Sequence, residues 1–486
     1  MPNKYFRAVS ANFFFFAANT IVLLIAIPLA VRAMGPQLYG LWSILVALML
    51  FSNVGTLGMS TVVMKFASEA VEEEPAKSQE EILTAGFLIV GVMAFILGGL
   101  LIAFRTPIAS RLHTTAALRW QMNQSLIWVG AGLLPQFLSM VPRGYLLGKL
   151  QNHISRGLDL LASLLLWGGA VVIARETKNL TPIAVWAFAS NWLVFGLYLL
   201  GLRFSQNWHG RWRFSVNTFR RMLHFSGWMF LQSLSIAAFQ QFDKVLLGFI
   251  LDPALVGAYA IGTSVALRLS LVAGQVTQVL IPYASLKASL EDYSRLFDTF
   301  RWLNRSLSEM LGFISSMAIL WMPEILALWI SPAFSKAYAS IFGILILGYN
   351  MLSISRTGHQ TLTGAGKIRF AALVYFFSTV TMLTALALLA FKFGIAGAAV
   401  ANLLMVLLLV DTVYIYYLYS HTSRWKMMFL ADVGKGMVAP WLGYAGLVLT
   451  STLVVKFLIS MVVTFWFLRA LFYKAKVRLW HEPTQQ

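Results

Sequence analysis

The sequence predicts an all-α protein that crosses a membrane many times, with two six-helix halves of the same orientation and a C-terminal helix pair. Three observations lead to this prediction. Of 486 residues, 59% are hydrophobic and only 11% are charged, whereas a soluble chain has about 25% charged residues. Apolar segments recur at the length of about 20 residues that a helix needs to cross a hydrocarbon layer. Short motifs also recur, in the same order, in both halves of the chain.

The apolar segments predict about 14 helices, and the last two depend on where the chain turns. Residues 437–468 are apolar apart from Lys456 and too long for one ordinary span, so we expect two short helices that turn near Lys456. A single helix there, with 13 in total, is the alternative. The predicted helices are 9–31, 41–64, 83–104, 124–147, 158–174, 182–202, 224–249, 254–282, 304–329, 337–362, 370–391, 394–418, 436–455 and 457–473.

The chain has a formal net charge of +19, and the distribution of its basic residues predicts its orientation in the membrane. With the N-terminus inside, most lysines and arginines fall in the inner loops and helix ends, as the positive-inside rule requires. This distribution predicts that both termini are cytoplasmic, and it argues against a nucleic-acid partner. The chain has no cysteine, which excludes disulfides and thiolate metal sites.

Residues 204–223 form the most basic connection in the chain and alternate basic side chains with tryptophan and phenylalanine. This composition favours an amphipathic strip on the anionic inner leaflet. The strip also separates the two halves. We therefore expect an N-terminal lobe at 1–203, the linker at 204–223, a C-terminal lobe at 224–418, and additional helices with a basic tail at 419–486.

Three pairs of short segments match between the halves at nearly one offset, which indicates duplication of a six-helix unit. Because an even number of crossings returns the chain to its starting side, the repeats are expected to be related by an axis along the membrane normal. The matched pairs are 35–42 with 252–259, 147–150 with 365–368, and 189–193 with 400–404.

Polar residues inside the eighth predicted helix are the first candidates for substrate binding. Ser264, Arg268, Gln275 and Gln278 follow one another at steps that place them on one helical face. Ionisable side chains within a span usually face a protein interior or a water-filled cavity. Arg268 is therefore expected to meet an anionic substrate. The alternative is that Arg268 pairs with a neighbouring carboxylate and serves packing.

Arg143, Asn350 and Arg356 occupy comparable places in the fourth and tenth predicted helices and are further substrate-binding candidates. Their alternative role is to mark the cytoplasmic interface.

Three carboxylates, Asp243, Glu309 and Asp411, are candidates for ion coupling with H+ or Na+. A low-dielectric site disfavours the charged carboxylate, so alternating exposure to two solutions can load and unload it. A structural role is the alternative for each of the three.

The chain lacks a Walker-type phosphate loop, an HExxH motif and any Ser/His/Asp pattern that we can place. We therefore expect neither an enzyme nor a bound cofactor. Energy for transport would come from an ion gradient or from the substrate gradient.

The turn at 35–40, GPQLYG, followed by a glycine-rich helix with almost no charge, resembles the second helix of the Wzx-type polysaccharide exporters. The run FDKVLLGFILDP at 242–253 resembles their seventh helix. These exporters belong to the MOP superfamily, with MurJ and the MATE drug exporters.

The resemblance implies two six-helix lobes around a central cavity, and alternating access in the bacterial cytoplasmic (inner) membrane. It implies that the substrate is an oligosaccharide on a polyprenyl diphosphate, used for cell-surface polysaccharide. Arginines would meet the diphosphate, as is thought for MurJ-like flippases. Membrane lipids would surround the protein, and a polysaccharide polymerase and glycosyltransferases are the implied partners.

Three alternatives remain open. A MATE-type ion-coupled drug exporter would favour carboxylates over arginines in its cavity. A membrane-embedded glycosyltransferase or polymerase would want paired carboxylates and a large outer loop. A polysaccharide-assembly protein without transport activity is the third alternative.

Overall fold

The computed structural model of the chain describes residues 2–69, 75–149, 151–206, 211–277, 280–406, 425–449 and 452–481. Within these ranges the protein is helical apart from short connections, and no strand occurs in them. The prediction of an all-α polytopic membrane fold is confirmed. Contacts divide the chain into two compact units, Met1–Ala260 and Ile261–Gln486. The predicted lobes at 1–203 and 224–418 remain a prediction.

The first unit starts with a long helix that bends at the predicted turn. Gly35 has φ of 74° inside α1, a conformation that glycine adopts without a Cβ penalty. A π-helical turn at Ala238–Phe242 joins α8 (Val216–Ala237) to α9 (Asp243–Gly248). The helices are α1 Pro2–Ser52, α2 Met59–Glu69, α3 Pro75–Ala103, α4 Arg105–Ser110, α5 Ala116–Gly148, α6 Asn152–Thr177, α7 Leu180–Gln206, α8 Val216–Ala237 and α9 Asp243–Gly248, followed by α10 Pro253–Thr277, which continues into the second unit.

The second unit contains two broken helices. α12 (Tyr293–Leu320) and α13 (Met322–Trp329) meet at an angle of 65°, and α15 (Ile368–Met405) bends at Gly394, where φ is 60°. The helices are α11 Leu280–Ser289, α12 Tyr293–Leu320, α13 Met322–Trp329, α14 Pro332–Gly364, α15 Ile368–Met405, α16 Trp425–Leu449 and α17 Leu453–His481.

Eight helices among the described residues are long and apolar enough to cross a membrane, or nine if the bent α12–α13 pair is one span. The stretch Phe14–Thr56 covers most of both of the first two predicted helices, and Arg369–Leu404 covers the eleventh and the start of the twelfth. The chain is therefore a multi-pass membrane protein. The number of crossings remains a prediction.

The turn near Lys456 was placed too late in the sequence. α16 ends at Leu449 and α17 begins at Leu453, so Lys456 lies inside a helix. Lys456 is only 2% exposed, and its Nζ lies 2.6 Å from Oε1 of Glu324. Because that carboxylate neutralises the ammonium group, the lysine does not need the aqueous turn that its charge suggested.

Small residues bring the helices of each unit close together, as is usual in membrane proteins. In the first unit, a Cβ on Gly144 of α5 would lie 2.4 Å from the carbonyl oxygen of Ser60 on α2. In the second unit, a Cβ on Gly312 of α12 would lie 2.6 Å from Cα of Gly436 on α16. Helix α16 is thus tightly packed within its unit.

The two turn segments that the sequence matched to one another touch inside the first unit. Gly40 and Gly257 are equivalent positions in the matched segments 35–42 and 252–259. A Cβ on Gly257 would lie 3.1 Å from Cα of Gly40. Equivalent positions of the two matched segments therefore lie in contact, while the duplication itself remains a prediction.

Candidate functional site

Helix α10 carries the polar face that the sequence singled out. Ser264 and Arg268 lie one turn apart on this helix, and both are half-buried. Gln275 belongs to the same helix, but its side chain lies outside the described part of the structure, as does the whole of Gln278. The structure therefore places two of the four predicted residues and leaves the other two as predictions.

The guanidinium of Arg268 has no hydrogen bond or ion pair with any described residue. The alternative role, in which Arg268 neutralises a neighbouring carboxylate, therefore finds no partner in the described chain. An unpaired cation within an apolar span is costly. Residues with such a cost are usually retained for a ligand or for a pathway through the membrane.

Many carboxylates of the described helices have basic partners. Five of the ion pairs among the described residues show this, and three of these five lie in the second unit with Arg268. The pairs and their N–O distances are Asp159–Arg143 at 2.8 Å, Asp243–Lys244 at 3.2 Å, Arg305–Glu309 at 3.3 Å, Arg301–Asp432 at 2.7 Å and Lys456–Glu324 at 2.6 Å. Arg268 is thus a positive charge among neutralised pairs.

Arg356 of α14 reaches α10 on a different face. Its Nε donates to Oγ of Ser270 at 2.7 Å, and its Nη1 lies 3.2 Å from where a Cβ on Gly274 would be. Ser270 follows Arg268 by two residues, which is a rotation of about 200° around a helix. The structure therefore does not place Arg356 on the face of α10 that carries Arg268.

Arg143 belongs to a charged cluster between α5, α6 and α7. Asp159 accepts from Arg143 at 2.8 Å, from Arg156 at 3.2 Å and from the hydroxyl of Tyr198 at 2.7 Å. Tyr198 also donates to the carbonyl oxygen of Ser155 at 3.0 Å. One carboxylate thus holds two arginines, and the cluster carries one excess positive charge.

Sequence reasoning missed the role of Asp159. The spacing of Arg156 and Asp159 by three residues on one helix was the available signal. The contact with Arg143 could not be seen in the same way, because it joins two helices.

Asn350 of α14 is buried, and both ends of its amide are occupied. Its Oδ1 accepts from Oγ of Ser315 on α12 at 3.0 Å, and its Nδ2 donates to the carbonyl oxygen of Gly436 on α16 at 3.1 Å. The side chain thereby joins three helices. This placement favours a packing role, and its predicted role in substrate binding remains a prediction.

The ion-coupling candidates are buried ion pairs where the structure describes them. Asp243 is fully buried, and its Oδ1 accepts from the backbone N–H of Lys244 at 2.7 Å and from its Nζ at 3.2 Å. Glu309 is 8% exposed and pairs with Arg305. Asp411 lies outside the described residues. Within those residues, no group of three or more His, Asp or Glu side chains could hold a metal ion.

Comparisons with known proteins agree with this architecture. A family model described as "Polysaccharide biosynthesis protein" matches residues 29–308. A curated relative from Shigella flexneri, described as "Putative O-antigen transporter", is 20% identical over 423 residues, which is 84% of this chain and 96% of the relative.

Two solved structures show the same fold. The "Lipid II flippase MurJ, inward closed conformation" superposes with a TM-score of 0.72 at 13% identity and covers 97% of this chain and 100% of its own. An inward-facing "multidrug resistance MATE family transporter of the MOP superfamily" gives a TM-score of 0.67 at 11% identity, over 89% of this chain and 96% of its own. At these identities the likeness concerns the fold alone.

Proposed function

Because the chain belongs to the family of polysaccharide biosynthesis proteins, we propose that it is a flippase that moves an oligosaccharide linked to a polyprenyl diphosphate across the bacterial inner membrane. The fold is that of MOP-superfamily transporters. The relative named as an O-antigen transporter supports a lipid-linked glycan as the substrate class. The resemblance in the turn at 35–40 supports the same class. The expectation that the chain is not an enzyme agrees with these relatives, which are named as transporters and flippases.

One observation carries the proposal, namely that the guanidinium of Arg268, inside a membrane span, pairs with none of the residues that the structure describes. A diphosphate carries negative charge and offers several acceptor oxygens. Guanidinium groups bind phosphates through two parallel N–H donors, and these charge-assisted hydrogen bonds are about twice as strong as neutral ones. A cation that lacks a carboxylate partner is available for this interaction. Ser264, one turn away, adds a hydroxyl on the same face.

The charge pattern also separates the proposal from a drug exporter. A site for cationic compounds needs a carboxylate that is free to meet them. Asp243 and Glu309 instead have lysine or arginine partners in the described structure. The same two residues, together with Asp411, remain the candidates for H+ or Na+ coupling, and in Asp243 and Glu309 protonation would loosen the ion pair. Alternating access supplies the transport cycle.

The test compares glycan export with the amount of protein in the membrane. We expect Arg268→Ala to reduce export of the cell's surface glycan at least about ten-fold, because charge-assisted hydrogen bonds are lost. Its abundance in the membrane should stay normal. Arg268→Lys should keep part of the activity, since lysine supplies the charge without the two-pronged donor.

Two control variants complete the experiment. Arg301→Ala removes the partner of Asp432, which is 3% exposed, and should lower abundance together with export. Arg175→Ala, at an exposed helix end, should change neither quantity. Normal export by well-expressed Arg268→Ala would exclude the proposed role of this arginine.

A further inference from the structure

The segment that joins α7 to α8 presents basic and aromatic side chains to its surroundings. Trp212, Phe214 and Val216 are 63%, 55% and 67% exposed, and Arg211 and Arg220 are exposed beside them. We define these five residues as the basic aromatic surface. We propose that this surface is a binding site for anionic phospholipid headgroups of the membrane leaflet at which α7 ends.

The surface is held in one position by α3 of the same unit. Glu81 of α3 lies 3.7 Å from Nε of Arg213 and accepts from the hydroxyl of Thr218 at 3.0 Å. The backbone N–H of Arg213 donates to Oγ1 of Thr84 at 3.1 Å. The segment is therefore fixed at both ends by side chains of α3, and a fixed segment loses less entropy when a ligand binds.

The contacts with α3 engage Arg213 but neither Arg211 nor Arg220. Glu81 is occupied by Arg213 and Thr218. Arg211 and Arg220 have no ion pair among the residues that the structure describes. Their positive charge is thus available to a phosphate group.

The first turns of α8 have an inner and an outer side. Met222 is fully buried in the core of the first unit, with Phe219 packed against the same core. Val216 and Arg220, one turn apart, are exposed. The outer side therefore combines an apolar residue with a cation, as is typical of segments that lie in a lipid headgroup region.

The location of the surface argues for lipid as its occupant. The membrane-spanning stretch Leu180–Ser205 ends six residues before Arg211, so the surface lies next to the hydrocarbon boundary. Trp212 packs edge-on against Phe87 of α3, with the ring centroids 5.4 Å apart. Tryptophan is enriched at membrane interfaces, where the ring is partly apolar and partly hydrated. Basic residues at this depth are attracted by anionic lipids.

The experiment measures lipid preference in the full chain. Purified protein in detergent is titrated with phosphatidylglycerol or phosphatidylcholine, and bound lipid is counted by native mass spectrometry. Wild type should bind phosphatidylglycerol more tightly. Each basic residue at an anionic surface gives about a five-fold gain in affinity, so Arg211→Gln with Arg220→Gln should lower that affinity by up to roughly 30-fold.

Two double variants make the result specific. Arg111→Gln with Arg175→Gln removes two exposed arginines elsewhere in the first unit and should bind like wild type. Arg211→Lys with Arg220→Lys keeps the charge and should retain the preference, which also tests whether the glutamine variant fails only by misfolding. Equal losses in both glutamine variants would show a general net-charge effect and overturn the proposal.

A probe in bilayers gives an independent measurement. Because the chain has no native cysteine, an environment-sensitive dye can be attached at Val216→Cys alone. Its emission should shift to the blue in nanodiscs that contain phosphatidylglycerol, compared with pure phosphatidylcholine. An unchanged spectrum would overturn the proposal and favour a protein partner for this surface.

Discussion

A Cβ added to Gly40 would lie 1.7 Å from the carbonyl oxygen of Pro253. Backbone atoms of α1 and α10 therefore approach so closely that a hydrogen is the largest group tolerated at this position. Gly40 ends the GPQLYG turn motif, and Pro253 lies in the counterpart segment 252–259, where it starts α10. This contact between the two matched segments explains why the last position of the motif is a glycine.

The first prediction is that Gly40→Ala destabilises the protein strongly. The clash is with backbone, which cannot move aside as a side chain can, and overpacking costs about 3 kcal/mol of the free energy of unfolding. The destabilisation is measured as a fall in the melting temperature of the purified protein. Gly168→Ala in α6, where a Cβ would meet nothing within 4 Å, is the matched control and should melt like wild type. Equal melting of the two variants would contradict the close approach.

The second prediction concerns the ion pair that attaches α17 to α13. Glu324→Gln leaves Lys456 buried without its partner, and breaking a buried pair costs about 3–5 kcal/mol. The melting temperature should therefore fall. Glu324→Gln combined with Lys456→Met removes both charges and should recover most of the loss, because methionine fills a similar volume. A double variant as unstable as the single one would contradict this explanation.

The third prediction distinguishes two roles of Arg143. If Arg143 mainly serves the ion-pair cluster, Arg143→Ala should lower membrane abundance only partly, because Arg156 still neutralises Asp159, and glycan export should fall in proportion to abundance. We expect this outcome from the 2.8 Å contact between Arg143 and Asp159. Loss of export at normal membrane abundance would instead assign Arg143 to substrate binding.

The fourth prediction tests the orientation that the basic residues predict. Thr115→Cys and Asn217→Cys place single thiols at exposed positions on opposite predicted sides of the membrane. An impermeant maleimide should label Thr115→Cys in intact cells and Asn217→Cys only after the membrane is opened. The reverse pattern would show that the N-terminus is outside.

The sequence alone determined the solvent, the helical fold and the bends at two glycines, but not the 65° bend between α12 and α13, which lies inside the single predicted helix 304–329. A chain with 59% hydrophobic residues must satisfy its backbone hydrogen bonds internally in lipid. Helices follow from that requirement, and Gly35 and Gly394 mark bends because their positive φ suits glycine. The polar face of α10 could be predicted from the sequence because residues three or four apart share a helical face.

Only the tertiary structure decided which charges meet. Asp159 with Arg143, and Glu324 with Lys456, join helices whose relative rotation is set by packing of small and apolar side chains. No local spacing encodes such contacts, and the turn near Lys456 was misplaced for that reason. The same packing placed Arg356 on a second face of α10, against Ser270, and left Arg268 without a described partner. Periodicity determines which residues share one helix face, but the contacts between helices determine which of them are neutralised.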